Sequence, residues 1–181
     1  LSALRSNQLS ALTSLNIVRL DSTQIAAFTS ANVKGIQPES LSAIGTAALQ
    51  GLETSDIRYL TPLQVGAFTP AQLRSLASQQ IFALTSENAS GLSSDQLDTL
   101  SAGSISYLSG QSFGKLTTAA LQGLASSAIK FLTADQIRSL SATQIASLSV
   151  ANISSLETWQ IDRLSASQLA AITSTQAGIL T

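Results

Sequence analysis

The chain has 181 residues, with nine Lys or Arg against ten Asp or Glu, a formal net charge of −1 and only 10% of its residues charged. It contains no Cys, His or Met, which excludes disulfides, thiolate zinc sites and any catalysis by Cys or His. At 44% hydrophobic it is too apolar for a disordered linker. It lacks the run of about 18 apolar residues that a bilayer span needs, and its few cations argue against nucleic acid or an anionic membrane as a partner.

From the first residue onward the chain repeats every eight. Steps of eight from Leu1 (Leu9, Ile17, Ile25, Val33 and onward to Ala177) meet a large apolar residue at 21 of 23 positions and Ala at the other two. Steps of eight from Leu4 meet only Leu, Ile or Phe, with Leu at 18 of 23. No insertion breaks the phase, so residues 1–181 read as one uninterrupted array without a linker. With these positions as phases 1 and 4, phase 5 is Ser or Thr in 15 of 23 octads, and phase 8 is Gln in 11 of 22 and Asn in four more. Phase 3 is mostly Ala, Gly or Ser.

Each phase has a physical reading. A hydroxyl at phase 5 with Gln three residues later is a capping box, in which the hydroxyl accepts from the backbone N–H at N3 and the Gln reaches back to the N-cap amide. Pro38, Pro62 and Pro70 all fall at phase 6, the first helical position, where the missing N–H costs nothing. The apolar phases 4 and 1 then form a hydrophobic staple across the helix start. The pattern predicts an all-α solenoid: one helix of about two turns per octad, from phase 6 to phase 3 or 4. Glycines at phases 2 and 3, such as Gly35, Gly51, Gly91 and Gly123, mark helix ends and close neighbours.

Two other architectures fit less well. In one continuous helix, eight residues advance the wheel by about 80° beyond two turns, so the apolar stripe would wind around the axis. A β-solenoid, with three octads in each triangular coil, is the alternative, but spacings of three and then five do not alternate with period two. Helices this short are unstable alone, so stacking must hold them. The number of octads per coil, two or three, and its handedness are left open by the pattern.

Further along, Thr46-Ala47-Ala48-Leu49-Gln50-Gly51-Leu52 recurs unchanged 72 residues later at Thr118–Leu124, and Ile57-Arg58-Tyr59-Leu60-Thr61 is matched by Ile129-Lys130-Phe131-Leu132-Thr133. The simpler explanation is duplication; the sharper one is that nine octads complete a whole number of turns. Asp95 and Asp98 are near neighbours, read as a solvated helix face. No carboxylate pair in a cleft, phosphate loop or calcium repeat is present, so no catalytic, cofactor or metal site is expected. The phase 5 hydroxyls and the phase 8 amides both read first as caps. The remaining candidates are aromatic residues outside the framework: Tyr59, Tyr107 and Phe131 at phase 3, Phe82 at phase 2 and Trp159 at phase 7. They are read as groove fillers, with lateral contact or ligand binding as the functional alternative.

Runs such as Leu132-Thr133-Ala134-Asp135-Gln136-Ile137 and Leu140-Ser141-Ala142-Thr143-Gln144-Ile145 resemble the octapeptide arrays of very large, adhesin-like bacterial surface and secreted proteins. That resemblance covers the whole chain and implies an extended, extracellular structural protein. The expected function is a non-enzymatic rod, stalk or self-assembling filament with copies of itself, the cell surface or extracellular matrix as partners. The alternative is a solenoid that binds glycan or ice through a hydroxyl or aromatic face. Finally, Leu4, Leu9, Ile172 and Leu180 are ordinary framework residues where capping repeats would normally stand, which predicts a segment of a longer array or ends covered by stacked neighbours.

Overall fold

The computed structural model describes residues 1–100 and 102–178. Among them, 20 α-helices and two 3-10 helices follow one another, one per octad, and there is no strand. The protein is an all-α solenoid of short helices. Every α-helix begins at phase 6, from Ser6–Leu9 to Ser174–Ala177. Among the described residues the preceding phase 5 residue is extended, as at Thr133 (φ −74°, ψ 162°).

The helices are shorter than the spacing suggests. They hold four to six residues and end at phases 1 to 3, as in Ser14–Ile17, Pro38–Ser42 and Pro70–Ser75. The phase 4 residue lies outside them. Where the helix runs to phase 3, that residue is fully extended: ψ is 137° at Leu76 and 135° at Leu140. Its N–H still bonds back to the phase 1 carbonyl, as Leu140 does to Ile137, but its own carbonyl turns out of the helix. The two 3-10 helices, Val33–Gly35 and Ala89–Gly91, occur where Asn at phase 8 (Asn32, Asn88) coincides with Gly at phase 3. In the second of these octads only the hydroxyl half of the cap is unused: the Thr85 N–H donates to Asn88 Oδ1 at 2.9 Å, while Thr85 Oγ1 is buried with no hydrogen-bond partner.

Packing fixes the coil at three octads. Each helix packs on the third one after it: Ser6–Leu9 on Val33–Gly35, Pro62–Gly66 on Ala89–Gly91, Gly110–Phe113 on Ala134–Ser139. Residues 24 apart therefore lie one above the other in successive coils. Phase 1 is buried at every position from Leu9 to Ile153, and phase 4 at every position from Phe28 to Leu164. These two columns from three sides fill one continuous apolar core. Leu4, Leu12, Leu20 and Ile172, in the outer coils, are only partly buried, while Leu180 lies outside the described residues.

At several phase 3 positions only a small residue fits, because backbones meet there. A Cβ on Gly51 would fall on the carbonyl oxygen of Ser22, and one on Gly123 on that of Ser94. No glycine among the described residues has positive φ, so these are chosen for space and not for backbone conformation. The two contacts are also 72 residues apart, which is three coils. The duplicated segments thus sit on the same side of the solenoid and make the same contact. Gly51→Ala is expected to lower stability by about 1–3 kcal/mol, as overpacking does, measured by urea unfolding.

Candidate functional site

The polar group that organises the fold is the phase 8 amide. Gln136 is fully buried. Its Oε1 accepts from the Thr133 backbone N–H at 2.8 Å, which completes the predicted capping box. Its Nε2 donates to the carbonyls of Ile105 at 2.7 Å and Leu108 at 2.8 Å, in the preceding coil. The same pair of donations, 31 and 28 residues back, is made by Gln64, Gln80, Gln160 and Gln168. The Leu108 carbonyl lies beyond the last helical turn and has no helical N–H to receive. Buried without a partner it would be costly. The amide from the next coil is that partner. Asn88, Asn152, Ser40 and Ser112 each make one such bond where the side chain is shorter.

These amides do not stack on one another; each links one coil's cap to the previous coil's open carbonyls. The inter-coil bond was not legible from a cap alone, yet a signal was present. Gln holds phase 8 even where phase 5 cannot cap by hydroxyl: Ala77 and Glu157 still donate their backbone N–H to Gln80 and Gln160 at 2.9 Å. The hydroxyl half is the weaker one. Ten Ser or Thr hydroxyls among the described residues accept from N3, with Thr133 at 3.3 Å. At these ten positions the hydroxyl oxygen is engaged in the cap.

One phase 8 position carries the wrong chemistry. Asp56 is 2% exposed, and its Oδ2 has no partner. Ser55 Oγ donates to its Oδ1 at 3.3 Å. In the register of the other amides its partners would be the carbonyl of Ile25, which already accepts the Phe28 N–H, and that of Phe28, which needs a donor that a carboxylate lacks. Burial pushes its pKa above the usual 3.8; Glu53 adds to the rise and the Ser55 hydrogen bond opposes it. The folded chain therefore keeps this proton to higher pH than the unfolded chain. The stability tied to it is complete below pH 3.8 and is lost as pH rises through the raised value. Asp56→Asn is expected to abolish that slope and to raise stability at pH 7 by about 1–3 kcal/mol, read from urea unfolding across pH.

The aromatic candidates separate into two groups. Tyr59, Tyr107 and Phe131 stand in one column, since they differ by whole coils, and are 44–49% exposed. Lys34 Nζ lies 5.5 Å from the Tyr59 ring centre and Lys130 Nζ 5.3 Å from that of Phe131. Phe82 joins them, lining with Arg58 and Tyr107 an open groove of about 350 Å³. Trp159 is on a different side, where its Nε1 donates to Glu157 at 2.6 Å. All five rings are about half covered, 41–59% exposed. Asp95 and Asp98 are both exposed on helix Ser94–Thr99 and border a shallow depression beside Gly123. Among the described residues no three ligating side chains come together, and no helix is long and apolar enough to cross a membrane.

No family model matches the chain, and no curated protein matches it.

Proposed function

We propose that this chain is a length of non-enzymatic structural rod, extracellular or at a bacterial cell surface, whose work is to extend and to assemble. The observation that carries this reading is the identity of successive coils. Each is joined to the next by the same apolar phases and, at most phase 8 positions, by a side-chain donor across the coils, so length can be added without new chemistry. The placement outside the cell rests on the resemblance of the octads to adhesin-like arrays. Solution scattering tests the reading: an elongated particle is expected, and a compact globule, or a cofactor carried through purification, would contradict it.

A second reading, a glycan-binding solenoid, is favoured by one feature, the open groove of Arg58, Phe82 and Tyr107. It predicts retardation in polysaccharide-containing gels that is lost in Phe82→Ala.

A further inference from the structure

The three-octad coil gives the solenoid three sides, and one of them carries a row of rings. It is the side of helices Thr54–Ile57, Ser78–Phe82 and Ser126–Ile129. Along it, phases 2 and 3 of successive coils read Lys34-Gly35, Arg58-Tyr59, Phe82-Ala83, Ser106-Tyr107 and Lys130-Phe131. Four consecutive coils thus present one half-exposed ring each, with Lys34 and Arg58 towards one end of the row and Lys130 at the other.

This side also has its own charge. Its phases 2, 3, 6 and 7 hold Lys34, Arg58 and Lys130 and no acid. At the same phases the second side balances four acids against four cations, and the third sets Asp95 and Asp98 against Arg74. Two carboxylates stand at the edges of the ring row. Glu53 is at phase 5, where helix Thr54–Ile57 begins, and Glu87 borders a recess with Lys34, Arg58 and Tyr59. Neither pairs with these cations, since the one ion pair among the described residues is Arg138 with Asp135. A chain of net charge −1 therefore keeps a local positive excess beside its rings.

A sugar ring offers an apolar C–H face and a rim of hydroxyls. A half-exposed aromatic ring takes the face, and neighbouring hydroxyl and amide groups bond to the rim. Arg58, Phe82 and Tyr107, from three successive coils, share one open groove with Ser78 and Gln79, which supplies both kinds of contact. A guanidinium or ammonium at its edge takes a carboxylate. Single-stranded nucleic acid also stacks on rings, but its affinity follows the number of phosphates neutralised, and three cations spread over five coils meet few of them.

We propose that this side is a track for a linear, carboxylate-bearing polysaccharide laid along the rod. Its sugar faces stack on Tyr59, Phe82, Tyr107 and Phe131, and its carboxylates meet Lys34, Arg58 and Lys130. The coil step of about 8–10 Å is roughly the length of two linked sugar rings, so each coil meets the same face of the polymer. Contacts that are weak singly add along the row. This inference rests on the glycan-binding reading, to which it adds the ligand's charge and direction; the rod reading stands without it.

The test is frontal affinity chromatography of the full chain on immobilised polygalacturonate, on its methyl ester, on polyglutamate and on oligothymidylate. Polygalacturonate is expected to retain the chain, less so as salt is raised, and the other three to retain it weakly. Phe82→Ala, and separately the triple variant Lys34→Gln, Arg58→Gln and Lys130→Gln, are each expected to bind polygalacturonate about tenfold more weakly or worse. All four positions are exposed, and unchanged circular dichroism verifies the fold. Trp159→Ala, on the second side, is expected to bind as the parent chain does. Equal retention by the methyl ester, unaffected by the triple variant, overturns the acidic track and leaves the glycan reading in place. No retention by either sugar polymer overturns both. Equal or stronger retention by polyglutamate or oligothymidylate overturns the proposal in favour of charge alone or of nucleic acid.

Discussion

Gln136→Leu is expected to lower stability by about 3–5 kcal/mol, although Leu nearly matches Gln in volume and opens no cavity. The loss is polar. The Thr133 N–H loses its acceptor and the Leu108 carbonyl its donor, while the Ile105 carbonyl keeps the Leu108 N–H. Each buried group left unpaired costs about 1–3 kcal/mol. Thr133→Ala, which removes only the hydroxyl half of the same cap, is expected to cost about 1 kcal/mol. Urea unfolding of the two variants measures the contrast. A cap acting within its own octad alone would make the two losses similar; the cross-coil amide makes Gln136 several-fold the larger.

Leu140→Ala is expected to cost about 2–5 kcal/mol, through lost burial and the cavity left behind. Leu140 is 4% exposed, and its carbonyl receives the Gln168 amide at 2.7 Å. Because each coil is supported only by its neighbours, hydrogen exchange should quicken first in the coils that share this contact. Leu12→Ala, in a partly buried outer position, should cost less.

Much of this architecture is legible in eight residues. The apolar phases 1 and 4, the helix start at phase 6 and the N3 role of Gln are all local, and local physics fixes them. The length of each helix is less so. Capping rules locate a start, whereas the end depends on where the phase 4 carbonyl must turn to meet the next coil. The three-octad coil is not written in the octad at all, because all octads look alike to a period of eight. It emerges where differences between octads line up: Tyr59, Tyr107 and Phe131 share a column only once the coil is known. Asp56 shows the converse. In sequence it is one of ten acids, yet its place at phase 8, where Gln and Asn prevail, already marks it as a charge in an amide's position.

Distances between spin labels measure the stacking of three-octad coils. The chain has no Cys, so labels can be placed at will. Ala47, Ala119, Thr143 and Ser167 are exposed positions in one column. Paired Cys substitutions joining Ala47 to each of the others span three, four and five coils. The account predicts separations near 24–30, 32–40 and 40–50 Å, growing by about 8–10 Å per coil. Distances that fail to grow in equal steps, or that stay as short at five coils as at three, would contradict it.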